Sequence, residues 1–457
     1  MCIYMLVQSK EGEECVSDKN FSNGVIIMSG RMWYNVAMAK SHLVLALVAA
    51  VILPTEAALK GIVLWPHQAR KYPDLSAAIS LEYSYALPCD VVAGTNSTGA
   101  LVCDWGKIDS LLDDIASRGH QAIIRFRYAY PGEKLDGTKG ATAVPAFIKN
   151  SPGYKETFAA NPGGDGPTYY PDWSCPALED FTLSFYSAFA ARYDADPRLA
   201  FVQAGFGHWA EYHTSGTKTE LGRNFPSMDF QRRFFRHLAK SFVETPWMVS
   251  IDAAGQDGER SPATAFAAEG LAFGLFDDSF MCKKHDVVDG KGGWNERNWR
   301  LFGEEHWKRG PNGGEISYYS RRDQREFLNP DGLYGTTWAQ AAAKYHMTFV
   351  IANDSPRGSF ATPERFRSAA RECGPELVAT EVKASTDGVS VTVANKGVAP
   401  PYHDISIAVG GKSAAGSLKG LLPGESRVLF AKGARPDEAL TLVSRKLLSP
   451  IPLTRGE

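Results

Sequence analysis

The chain has no cysteine pair at CxxC spacing, which argues against a structural zinc site. It has no G-x-S-x-G, so serine chemistry at a nucleophile elbow is not expected. No glycine-rich phosphate loop opens its first strand–helix turn, which weakens the case for a doubly wound nucleotide-binding sheet. An excess of one charge is also missing. The 49 Lys and Arg stand against 51 Asp and Glu, a net charge of −2, with no electrostatic case for nucleic acid or an anionic membrane. Beyond residue 57 no apolar run reaches the length of a bilayer span.

What is present begins with a segment to set aside. Residues 43–53 are an eleven-residue apolar run, preceded by a short basic start at Met38 and followed by small residues to Ala57. That is the pattern of a secretory signal peptide. Residues 1–37 are expected to be a non-structural extension, 38–57 the signal, and the mature chain a secreted protein with no membrane association after cleavage. A signal anchor is the alternative. Five cysteines lie beyond it, an odd number. Cys89 and Cys103 flank a polar loop and are expected to form a disulfide in an oxidising compartment.

From residue 60 to about 375, strand-like and helix-period segments alternate. Apolar runs fall at 61–65, 78–87, 121–127, 199–206, 247–251, 271–276, 313–318 and 347–352. Helical periodicity fills most of the gaps, as at 104–118, where Ile108, Leu111, Leu112 and Ile115 share a face and Gly119 stops the helix. Eight such units predict a (β/α)8 TIM barrel over 58–375. After Cys373 the pattern becomes short alternating strands punctuated by Gly and Pro, which predicts an all-β sandwich over 376–452 with a structural role. The long segments 131–174 and 283–297 follow strand runs and should lie on the active face.

The most informative stretch follows the fourth run, where His208, Trp209, Glu211, Tyr212 and His213 stand together. A carboxylate beside rings suits sugar chemistry, because the carboxyl carries a proton and flat rings stack on a pyranose. Further acids end later runs: Asp252 the fifth, Asp277 and Asp278 the sixth, Glu315 within the seventh, and Asn353 with Asp354 the eighth. A row of acids at strand ends repels itself, so stability does not explain it. Arg125 and Arg127 share one face of the third run by alternation; Arg127 is expected to reach Glu315, or both to serve a floor salt bridge or an anionic sugar. Trp65, Tyr128, Trp209, Trp294 and Tyr318 are the candidate stacking platforms. His208, His213, Asp252 and Asp278 could in principle hold a metal, but the His spacing fits no single helix face, so no metal or other cofactor is expected.

Glu on the fourth run and Glu on the seventh resembles the retaining glycosidase clan built on the TIM barrel. Locally, residues 207–213, Gly314-Glu315 and the C-terminal strands resemble the secreted family catalogued as domain of unknown function 4832. The resemblance spans roughly 60–450. It implies Glu211 as acid/base and Glu315 as nucleophile. The strand count places these two across the barrel mouth from each other, and the reading of the strand ends puts Arg125, Arg127, His208, His213, Asp252, Asp278 and Asn353 around the sugar. Ala210 departs from the clan, which usually has Asn before its acid/base Glu. The expectation is a monomeric glycoside hydrolase acting on a poly- or oligosaccharide. A uronate-directed polysaccharide lyase using Tyr212, His213 and Arg127, or a non-catalytic glycan-binding barrel, remain the alternatives.

Overall fold

A computed structural model describes residues 58–255, 260–283, 293–352, 356 and 358–456. The extension, the signal segment and Asn353 lie outside the described residues. Pro54–Glu457 forms one compact unit. Among the described residues no helix is long and apolar enough to cross a membrane.

Eight parallel strands close into a barrel: β1 (Gly61–Leu64), β2 (Leu81–Ala86), β3 (Gln121–Phe126), β4 (Leu199–Ala204), β5 (Trp247–Ser250), β6 (Gly274–Phe280), β7 (Asn312–Ile316) and β8 (Met347–Ile351). Each pairs with its sequence neighbours, and β8 returns to β1 through Gly61↔Phe349 and Val63↔Ile351. All eight apolar runs are strands, within a few residues. The largest difference is at β6, which starts later than the run and extends four residues beyond it, to Phe280. The segment between the first two strands, too short for one good helix, holds two small ones, Pro66–Lys71 and Pro73–Ser76, each opened by Pro where a missing N–H costs nothing.

The outer helices dock by their apolar faces. Pro176–Tyr193 buries Leu178, Phe181, Phe185, Phe189 and Tyr193. Met228–Ser241 is started by Ser227, whose hydroxyl accepts from the Phe230 N–H, and buries Phe230, Phe234, Phe235 and Leu238.

Inside the barrel, alternation sends Val63, Leu81, Ile123, Phe201, Met248, Phe276 and Phe349 to one apolar interior. That interior is completed by Ile405, Leu447 and Ile451 from the C-terminal region. There, Leu377–Ala384, Gly388–Asn395 and Ser426–Lys432 form one antiparallel sheet. Ser406–Val409 with Lys412–Ser413, Leu440–Val443 and Ile451–Pro452 form another. The two share a core that includes Val389, Val391, Val393, Ile407, Val409 and Leu429. The sandwich is not a spacer: it plugs the N-terminal end of the barrel. His403 Nε2 donates to the carbonyl of Ala200, near the start of β4, at 2.9 Å. Lys446 Nζ donates to Asp194 O, Asp196 O and Thr245 Oγ1 at 2.9, 2.7 and 2.7 Å.

The expected disulfide does not form. Cys89 and Cys103 are both free. Cys103 lies opposite Val92 in the small hairpin of Val92–Thr95 and Leu101–Cys103, while Cys89 belongs to the turn of helix before it, Pro88–Val91.

Candidate active site

The site is built at the C-terminal ends of the strands, where a barrel's loops converge. Beyond β4 the chain makes a tight knot. Gly207 N donates to Glu211 O at 2.8 Å, and His208 N to His213 O at 2.8 Å. A Cβ at Gly205 would stand 1.7 Å from Ala210 O, and one at Gly207 1.9 Å from His213 O, so only glycine lets the strands of this knot touch. Trp209 and Ala210 adopt positive φ, 55° and 61°, an uncommon state for side-chain-bearing residues. The outcome is that Glu211 and His213 turn to the same side.

Five of the expected residues meet there. Glu211 Oε2 lies 3.1 Å from His213 Nε2. The same imidazole nitrogen lies 3.6 Å from Asp252 Oδ2. Asp278 hydrogen-bonds Glu211 from β6. Arg125, buried on the inner face of β3, grips Asp278 at 2.8 Å, reaches Ala210 O at 3.2 Å and stacks over the Phe276 ring at 4.2 Å. Burial, then the Asp278 charge, push the Glu211 carboxyl up to about 8, so it carries a proton near neutrality. Asp278 is also raised by burial, with Arg125 pulling the other way. Burial would lower His213, but its hydrogen bond to Glu211 and the neighbouring carboxylates outweigh this and lift it to about 9.

Glu315 is the penultimate residue of β7, at the same end of the barrel as Glu211. It is buried, and its charge is felt by Tyr83 and Tyr85 on the inner face of β2. Tyr83 in turn lies 3.4 Å from Arg125 Nη1. Around the opposite rim, edge and tilted contacts link Trp65 to Tyr85 at 5.6 Å, Tyr85 to Tyr130 at 5.3 Å and Tyr130 to Trp209 at 4.6 Å. This is an aromatic arc over the ends of β1 to β4, facing an acidic arc over β4 to β7.

Several expected residues lie elsewhere. Arg127 does not reach into the chamber; it pairs with Glu133 and stacks over Tyr130 at 4.2 Å, because residue 127 is already past the strand and follows the loop. Tyr128 is no platform: it is buried against Trp173, its hydroxyl on Thr182 Oγ1 at 2.9 Å. His208 is buried between Tyr170 OH at 3.0 Å and Asp165 Oδ2 at 3.3 Å, and burial holds it neutral, near 4. Asp277 points out of the barrel, where it accepts from Trp299 Nε1 at 3.2 Å and from Asn295 and the Ser279 N–H, tying helix Trp294–Leu301 to β6. Trp294 and Tyr318 are exposed, at 46% and 47%.

Sequence reading did not single out Tyr83, Tyr85, Tyr130 or Asn298. Tyr83 and Tyr85 carried a usable signal, since period-2 spacing places both on the inner face of β2. Asn298 donates to Asp252 Oδ1 at 3.4 Å from a helix that no pattern ties to β5. Tyr319, next to Tyr318, lies within range of the Glu211 and Asp252 charges.

No family model matches the chain. No curated protein matches it either. Solved structures with similar barrels include the catalytic domain of a beta-amylase from Paenibacillus polymyxa, 11% identical, with a TM-score of 0.40 over 69% of this chain and 99% of that one. A trimodular GH5_4 subfamily endoglucanase is 9% identical, with a TM-score of 0.38 over 88% and 79%. A broad-specificity GH5-4 endoglucanase from an uncultured bacterium is 10% identical, with a TM-score of 0.36 over 67% and 84%. Likenesses at this level carry no argument about activity.

Proposed function

We propose that this chain is a glycoside hydrolase that cleaves a poly- or oligosaccharide at the C-terminal mouth of its barrel. The observation that carries the reading is Glu211. It is a carboxyl held protonated near neutrality by burial and by Asp278, in the same mouth as a second acid, Glu315. Glycosidic cleavage needs one carboxyl to protonate the leaving oxygen and another to stabilise or attack the developing oxocarbenium ion. Glu211 takes the first role and Glu315 the second. Arg125 favours the ionised form of Asp278 against the effect of burial, and the Asp278 and Asp252 charges favour a proton on Glu211. The aromatic arc of Trp65, Tyr85, Tyr130 and Trp209 offers apolar surface for sugar rings.

The resemblance of residues 207–213 and Gly314-Glu315 to the secreted barrel family supports this reading, as does the signal-like segment for export. The lyase alternative is weakened on two counts. Tyr212, its base, is buried against Phe206 and Phe225. Arg127, its uronate partner, is paired with Glu133.

The test is release of reducing ends from a polysaccharide panel by the purified chain, beside Glu211→Gln. Release by the wild type alone supports the reading. An unsaturated, ultraviolet-absorbing product would make the protein a lyase, and binding without release would make it a glycan-binding barrel.

A further inference from the structure

Three potential ligand atoms converge at the mouth. Glu211 Oε2, His213 Nε2 and Asp252 Oδ2 sit at successive separations of 3.1 and 3.6 Å, and the ligand atoms of the three residues lie within 4.8 Å of one another. Donor atoms around a first-row divalent ion, with bonds of about 2.0–2.2 Å, stand about 3.0–3.5 Å apart. The arrangement therefore needs little movement to close on such an ion.

The far atoms of two of these side chains are tied. His213 Nδ1 faces Thr214 O at 3.4 Å, so Nε2 is the nitrogen that can give up its proton to a metal. Asn298 Nδ2 donates to Asp252 Oδ1, leaving Oδ2 turned toward the imidazole. Outer contacts of this kind orient metal-binding rings and carboxylates. The charge also matches. Arg125 pairs with Asp278, so once a cation displaces the protons on Glu211 and His213, the site offers it two carboxylates and a neutral imidazole. Glu211 is largely buried, while His213 and Asp252 are partly exposed and leave an approach for water or a sugar hydroxyl.

We propose that Glu211, His213 and Asp252 bind one divalent cation of the zinc or manganese class. One imidazole with two carboxylates suits these ions better than calcium or magnesium, which take oxygen donors. His208, which sequence spacing grouped with His213, has no part in it, because its ring is held by Tyr170 and Asp165. A bound cation and a proton compete for the same Glu211 oxygen, so the metal-loaded form cannot donate that proton. This consequence for turnover rests on the hydrolase reading; the site itself does not.

The experiment is isothermal titration of the chelator-stripped full chain with zinc chloride and with manganese chloride. Thermal unfolding of each variant is followed alongside. One ion per chain is expected, with His213→Gln and Asp252→Asn each lowering affinity by more than tenfold. Asn298→Ala, which keeps all three ligands, should lower it by about 10–100-fold, the usual effect of an outer contact. Absence of heat and of any thermal shift at millimolar ion overturns the proposal. So does binding that His213→Gln and Asn298→Ala leave unchanged. A chain that binds the ion but releases no sugar in metal-free buffer would sink the hydrolase reading and leave this one standing.

Discussion

The same eight strands wall both ends of the barrel, yet the two ends have opposite chemistry. At the N-terminal end the interior is closed by Ile405, Leu447 and Ile451. The polar groups around this plug are matched: His403 on Ala200 O, and Lys446 on three oxygens. At the C-terminal end three carboxylates crowd around one buried arginine and one imidazole, on backbone that includes two consecutive positive-φ residues. One end is arranged for stability and the other tolerates strain and like-charge repulsion, as expected where chemistry is placed on a rigid scaffold. Substitutions at the two ends should therefore fail in different ways.

The largest effect is expected at the mouth. Glu211→Gln keeps the side chain's volume but removes the exchangeable proton, and turnover should fall by about 10²–10⁴-fold with the melting temperature little changed. Kinetics on the leading panel substrate, with a melting curve for each preparation, make the check. Near-normal turnover in a normally folded variant would remove Glu211 from the mechanism.

The converse experiment is at the plug. Leu447→Ala and Ile451→Ala should each cost about 2–5 kcal/mol of stability by opening a cavity in the barrel interior. The folded fraction should keep its turnover. Denaturant unfolding beside specific activity separates the two, and loss of activity without loss of stability would break the division between the ends.

A subtler contrast lies in pH. The folded state raises Glu211 from 4.5 to about 8 and His213 from 6.5 to about 9, so it binds more protons than the unfolded chain across that interval. The mouth thus loses stability as pH rises from about 4.5 toward 9. At the plug, burial drops His403 from 6.5 to about 3, so there the unfolded chain binds more protons, and stability is lost as pH falls below 6.5. Melting temperatures across pH should flatten on the alkaline side in Glu211→Gln and on the acid side in His403→Gln. The same flattening in both would show that the two ends do not titrate separately. Turnover should also fall above pH of about 8, as Glu211 loses its proton.

The smallest change is at the aromatic arc. Trp65→Ala should lower stability, because the ring packs on the barrel interior, and in the folded fraction raise KM more than it lowers kcat, because stacking acts on bound sugar before and during reaction. A fall in kcat alone would place Trp65 in the chemistry instead.

The fold was legible because burial on both faces makes barrel strands read as apolar runs, and because Gly and Pro punctuate the sandwich. Glu211, His213, Asp252 and Asp278 were legible for a related reason, since strand ends are where a barrel gathers its loops. What failed depended on register and long-range pairing. The apolar run stopped at Phe276, so Asp277 and Asp278 looked equivalent. The strand continues to Phe280 instead and alternation sends them to opposite faces. Arg127 looked inward because Arg125 is, but β3 ends at Phe126. His208 sits one turn from the acids in sequence, and only the fold shows that Tyr170 and Asp165 hold it.

The plug also bears on the order in which the protein can be made. Ile451 stands near the end of the chain, a hundred residues after β8 closes the ring of strands. A ribosome adding about 5–20 residues per second needs some 5–20 seconds to cover that distance. Until Leu447 and Ile451 arrive, Val63, Ile123, Phe201 and Phe349 lack their full cover from below. The barrel is therefore not a unit that can finish folding while its successor is still being synthesised, and a stop codon after β8 would leave an open apolar bore rather than a smaller closed domain.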